Sequence, residues 1–292
     1  MTSGTVGATV PSPPWPVSLL APRDAPLATA PRAAAVDPEA VPYAAGDGPV
    51  GVLLCHGFTG SPRSMRPWAE ALVAQGYTAV VPRLPGHGTS WREMNLTTWQ
   101  DWYGCVAAAC EELLARCETV VVAGLSMGGA LALRLGIEFG DRVSGLVLVN
   151  PAVTSADRRL AALPVLRFLT ASIAGIADDI AKPGVEEGGY DRTPLHALAS
   201  MTELWRDVGG RLGEVRQPVL LFTSDVDHVV DPSSADLIVH RITRAAVTHR
   251  RLTRSHHVAT LDFDAELIFA ESASFVGRLA AERQATAGSV TP

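Results

Sequence analysis

Residues 119–129 read TVVVAGLSMGG, and this stretch decides the fold. TVVVA is a continuous apolar, β-branched run, which suits a strand buried on both faces. Gly124-Leu125-Ser126-Met127-Gly128 follows directly, and residues 128–139 carry a helix-like pattern. A G-x-S-x-G between a strand and a helix is a nucleophile elbow. The serine sits on a sharp turn with a strained backbone. Only small neighbours two residues to either side avoid a clash, and here Gly129 adds a third glycine. The turn lifts the hydroxyl clear of the sheet, and the following helix points its first N–H groups at the same place.

Outward from the elbow, strands and helices alternate. Residues 50–56 (VGVLLCH), 78–82, 145–150, 218–224 and 248–252 read as buried strands. Residues 65–75 show helical spacing and stop before Gly76, a suitable residue just past a helix end. Residues 97–116 form a long helix with Thr97 or Thr98 as its N-cap, and 265–282 form the closing helix. This alternation predicts an α/β fold, a mostly parallel sheet with helices on both faces. Residues 152–213 break it, with no convincing strand, an apolar stretch over 160–180 and a helical segment over 197–208. An insertion there covers the carboxyl edge of the sheet, where open α/β sheets bind ligands, so it is expected to act as a small cap. Residues 1–42 are rich in Pro, Ala, Ser and Thr without a period and are expected to form a disordered or loosely attached leader. One domain is expected over 43–285, with a flexible tail over 286–292.

The bulk properties narrow the function. The chain has 292 residues, 47% of them hydrophobic, enough for a sizeable core. A formal net charge of -6 argues against a nucleic-acid partner. No run of about twenty apolar residues suggests a membrane span. Prolines at 11, 13, 14 and 16 and the lack of a basic start argue against a signal peptide. Cys55, Cys105, Cys110 and Cys117 form no C-x-x-C pair, so reduced thiols in a cytoplasmic protein are expected.

The elbow needs partners. A tetrahedral oxyanion needs two N–H donors. Met127, after the serine, supplies one, and Phe58 in the HGFTG loop (56–60) after the first buried strand supplies the other. His56 is expected to brace that loop. The segment SDVDHVVDP (224–232) offers the acid. Asp225 reads as a turn residue and Asp231-Pro232 as a helix start, which leaves Asp227. The segment SHHV (255–258) offers the base, as His256 or His257, since neighbouring loop residues point different ways. His87 lies in a loop ahead of the nucleophile. His196, His228, His240 and His249 read as surface or packing residues.

Together, HGFTGSP (56–62), PRLPGHGT (82–89), GLSMGG (124–129), DHVVDP (227–232) and SHHVATLD (255–262) resemble the bacterial carboxylesterase and monoacylglycerol lipase family, of thermostable-carboxylesterase type, in the α/β-hydrolase superfamily. The resemblance runs from about residue 48 through the closing helix and includes YDRTPL (190–195). It implies an α/β-hydrolase fold with a small cap, lined by 160–180. It assigns Ser126, Asp227 and His257 to the catalytic triad, and Phe58 and Met127 to the oxyanion hole. One departure is His256, which stands where the family's S-G-H-V has glycine. The implied activity is hydrolysis of short- to medium-chain acyl esters or monoacylglycerols through an acyl-enzyme, with no metal or organic cofactor. The same triad also serves acyl transfer and amide or C–C hydrolysis. A halide-releasing enzyme would need Asp at 126, and a non-catalytic binding protein of this fold would usually lack a triad member.

Overall fold

In the computed structural model, which describes residues 34–176 and 178–288, the strands are β1 (Tyr43–Ala45), β2 (Val50–Cys55), β3 (Thr78–Val81), β4 (Thr119–Leu125), β5 (Gly145–Val149), β6 (Ser172–Ala174), β7 (Arg192–Pro194), β8 (Val219–Ser224) and β9 (Val247–Leu252). Seven of them form one sheet in the order β1-β3-β2-β4-β5-β8-β9. Only β1 runs antiparallel to its neighbour. The helices are α1 (Arg66–Ala74), α2 (Trp91–Met94), α3 (Trp99–Arg116), α4 (Met127–Phe139), α5 (Leu163–Leu169), α6 (Leu195–Arg211), α7 (Ser233–Arg241) and α8 (Ala265–Gly288).

The apolar run of β4 is continuous because both of its faces are covered. Val120 and Val122 point to one face, where Trp102 of α3, Leu131 of α4 and Leu204 of α6 pack. Val121, Ala123 and Leu125 point to the other, against Trp68 of α1 and Phe275 of α8. Period-two alternation therefore divides the core into two layers without leaving a polar trace in the sequence.

Local signals set several element ends. Of the two candidate caps for α3, Thr98 is the one used, and its backbone N–H donates to Asp101 Oδ2 at 2.8 Å. Gly76 follows α1 with φ +87, a left-handed position that glycine fills without strain. At α7, the helix starts at the expected Asp231-Pro232 pair, with Pro232 in the N-cap place, and Asp231 Oδ1 accepts from the Ser233 N–H at 2.9 Å.

Three features differ from the sequence reading. The insertion, expected to lack strands, holds the antiparallel pair β6 and β7, each three residues long and too short to show an alternation. Residues 34–42, assigned to the leader, lie against the body: the Asp37 N–H donates to Gly88 O at 2.9 Å, and Ala40 is buried. Residues 1–33 of that leader lie outside the described residues. The closing helix runs on to Gly288, and of the expected tail 289–292 lie outside the described residues.

The elbow itself is tight. Ser126 has φ 55 and ψ -120, a conformation costly for any residue with a Cβ. A Cβ on Gly128 would lie 2.0 Å from Cys55 O, and one on Gly124 would lie 2.1 Å from Gly128 O. Both obstacles are backbone atoms of the central strands and the helix that follows them. Gly128→Ala is therefore expected to destabilise the protein by about 2 kcal/mol or more, read as a lower urea midpoint. An unchanged midpoint would show that the end of β2 and the start of α4 can separate freely.

Candidate active site

Parallel strands deliver their carboxyl ends to one edge, and the register brings four loops together there. Cys55 of β2 pairs with Gly124 of β4, Leu125 with Val149 of β5, and Ser224 of β8 with Leu252 of β9. The residues just beyond these ends are Gly57 and Phe58, Ser126, Asp227 and His257. Gly57, Phe58, Ser126 and His257 line a common cavity of ≈ 510 Å³, a volume that suits a small organic ligand.

Ser126 is 8% exposed, and its main chain is held by Val149 O, the Gly129 N–H and the Ala152 N–H. The main-chain N–H groups of Phe58 and Met127 have no acceptor among the described residues. The HGFTG loop is braced from several sides. Thr59 donates its hydroxyl to Phe58 O, and Thr59 O accepts from the Tyr190 N–H. The Phe58 ring meets Trp102 edge-on at 5.9 Å. His56 is fully buried. Its Nε2 accepts from the Leu84 N–H at 3.2 Å, so Nδ1 is the nitrogen free to donate to Gly57 O at 3.0 Å. Burial pushes its pKa down to about 4, so the ring is neutral and braces the loop. His87 packs edge-on against His56 and Trp102 in the same buried group.

Among the late residues, the structure brings His257 and Asp227 together: Nδ1 lies 2.8 Å from Oδ2, with both side chains 8% exposed. Asp227 Oδ1 is engaged by the backbone N–H groups of Val229 and Val230, each at 2.8 Å, which orients the other oxygen towards the ring. Burial works to lower the His257 pKa. The hydrogen bond to Asp227 and the charges of Asp227, Glu187 and Asp179 outweigh it, and the net shift is upward. Asp225 instead pairs with Arg251 at the surface, and Asp231 caps the start of α7 and accepts from the Ala156 N–H. His256 turns its Nδ1 to Asp179 Oδ1 at 3.4 Å.

Several supporting residues escaped the sequence reading. Asn150, at φ 43, donates to Ser224 Oγ and to His257 O and accepts from the Ser224 N–H, tying the ends of β5 and β8 to the His257 loop. Asp262 Oδ2 accepts from the backbone of His256 and of Ala181, and Asp264 holds Arg254 and Ser255. Glu187 reaches the cavity wall, where burial lifts its carboxyl above the ordinary range. The aspartates in DFD (262–264) were visible in the sequence, but directly before a helix at Ala265 they read as ordinary N-cap residues. The insertion forms the cavity's far wall with Leu160, Leu163, Leu166, Ile173 and Trp205. All four cysteines are free, and burial pushes Cys105 and Cys110 up to about 12, so neither is a reactive thiolate.

A mostly parallel sheet ending in a strained serine turn, beneath a covered cavity, defines a class of α/β proteins that work at the carboxyl edge of the sheet. Within that class the chain belongs to the alpha/beta hydrolase family, whose model matches residues 52–274. It is 42% identical over 244 residues to the thermostable monoacylglycerol lipase of Bacillus sp. (strain H-257), covering 82% of this chain and 95% of that protein. It is 26% identical over 241 residues to a carboxylesterase of Bacillus subtilis (strain 168), covering 82% of this chain and 96% of that protein. Among solved structures, one from work on the metagenome-derived lipolytic enzymes LipS and LipT superposes with a TM-score of 0.81 at 39% identity, over 84% of this chain and 100% of the other. Among the described residues no helix is long and apolar enough to cross a membrane.

Proposed function

We propose that this protein hydrolyses carboxylic esters with short- to medium-chain acyl groups, monoacylglycerols included, through a Ser126–His257–Asp227 triad. The observation that carries this reading is that His257, 2.8 Å from Asp227, lines the same cavity as the strained Ser126. His257 takes the Ser126 proton as Oγ attacks the ester carbonyl. The developing oxyanion is held by the N–H groups of Phe58 and Met127, neither of which has an acceptor among the described residues. The imidazolium then protonates the departing alcohol, and the alcohol leaves. His257 next activates water against the acyl-enzyme, and Ser126 recovers its proton. Asp227 keeps the imidazole in the tautomer with Nε2 free and stabilises its charged form. The upward shift of His257 follows from that pairing.

In this reading residues 152–213 act as a cap, and their leucines receive the acyl chain. The relatives support the substrate class, since one is a monoacylglycerol lipase and another a carboxylesterase. Free thiols fit a reducing compartment, the cytoplasm. A series of p-nitrophenyl esters and monoacylglycerols of increasing acyl length tests the proposal. kcat/KM is expected to rise from acetyl into medium chains as apolar contact grows, by up to about 0.8 kcal/mol per buried CH₂, and to fall once the cavity is full. Equal turnover across the series would remove the acyl assignment of the cavity. No turnover of any ester would remove the function.

A further inference from the structure

Beside the His257–Asp227 pair lies a second group of side chains that the proposed chemistry leaves unused. Asp179, from the insertion between β6 and β7, is nearly buried, with its side chain 8% exposed. Its Oδ1 lies 2.7 Å from His228 Nδ1 and 3.4 Å from His256 Nδ1. One donor atom from each of the three residues lies within 4.8 Å of the others. The two rings meet edge-on, with centroids 4.9 Å apart. The other carboxylate oxygen, Oδ2, accepts from the backbone N–H groups of His228 and His257, at 3.1 and 3.2 Å. Asp179 is thus oriented by the main chain, with one oxygen directed at two imidazole nitrogens.

We propose that Asp179, His228 and His256 bind one divalent transition-metal ion of the zinc class. Two imidazole nitrogens and one carboxylate oxygen are the donors that Zn²⁺, Co²⁺ or Ni²⁺ accept, whereas Mg²⁺ and Ca²⁺ require oxygen shells. Donors around a tetrahedral zinc stand roughly 3.3 Å apart, which the present spacing brackets. Closing on an ion needs a swing of the His228 ring, whose side chain is 57% exposed. The two backbone hydrogen bonds to Oδ2 act as an outer shell that fixes the carboxylate, and water completes the coordination. The three ligands come from the insertion, the Asp227 loop and the His257 loop. A bound ion therefore pins the insertion to the sheet edge. The proposal does not rest on the catalytic roles assigned to Ser126, Asp227 and the His257 ring, although the His257 backbone N–H donates to Asp179.

The test is calorimetric titration of the untagged, chelator-stripped, full-length protein with ZnCl₂, repeated with CoCl₂ and CaCl₂. One ion per chain is expected for zinc and cobalt, with no saturable binding of calcium. His228→Ala and His256→Ala are each expected to weaken zinc binding by about ten-fold or more. Zinc at 100 times its Kd is expected to raise the wild-type Tm by about 5 °C, and to leave the double variant unmoved. Because His228 is exposed, its removal does not threaten the fold, and the metal-free Tm of each variant checks this. Lack of one-to-one binding, equal affinities in wild type and double variant, or calcium binding as tight as zinc would each overturn the proposal. A cobalt spectrum carrying a thiolate band would do the same, because it would place the ion at a cysteine.

Discussion

Ser126→Ala is expected to lower turnover of a p-nitrophenyl butyrate-type ester by about four to six orders of magnitude. The size of the loss follows from what remains. Without Oγ no acyl-enzyme forms, and any residual rate comes from the two N–H donors and from binding alone. Ala keeps the Cβ, so the φ 55 backbone of the turn carries the same strain in both proteins. Stability is therefore expected to stay within about 0.5 kcal/mol, so loss of activity cannot be traced to unfolding. A fluorophosphonate probe should label the wild type at Ser126 and leave the variant unlabelled. Retained turnover in a folded, unlabelled variant would move the nucleophile elsewhere.

The second large effect separates two adjacent histidines. His257→Ala is expected to cost about 10⁴-fold or more in kcat, while His256→Ala costs less than about ten-fold. The rings differ in partner and in exposure. His257 is 8% exposed and sits 2.8 Å from Asp227, and it lines the cavity beside Ser126. The His256 ring is 29% exposed and faces Asp179. Groups that act as one unit do not add, so the Ser126→Ala/His257→Ala double variant is expected to be no slower than Ser126→Ala alone. Steady-state rates for the wild type and the four variants decide the matter. A severe His256→Ala defect with a mild His257→Ala defect would exchange their roles.

Much of the sheet could be read from short segments because each constraint was local. VVVA in β4, VGVLLC in β2 and VLLF in β8 are apolar throughout because both faces are covered, and that alone marks a strand in a parallel sheet. The short pair β6 and β7 was missed because three residues carry no period. Asn150 and Asp179 were missed for a different reason. Each acts by hydrogen bonds to residues 74 to 107 and 49 to 78 positions away, and no local pattern records such pairings.

The sequence by itself determined the elbow at Ser126. A strand, a strained turn and a helix lie within about twenty residues, and the glycines that make the turn possible are part of the same motif. It also singled out Asp227 among three aspartates as the candidate acid and offered His256 and His257 as candidate bases, in the chain order that this topology expects. Only the tertiary structure decided where those side chains point. Neighbouring residues on a loop diverge. The packing of the β9 loop on β8, fastened by Asn150, Asp262 and Asp264, turned the His257 ring to Asp227 and the His256 ring to Asp179. The cavity, too, exists only in three dimensions, since its wall comes from the insertion and its floor from loops after β2, β4 and β9. Side-chain direction is a property of packing against distant segments, and a linear pattern cannot encode it.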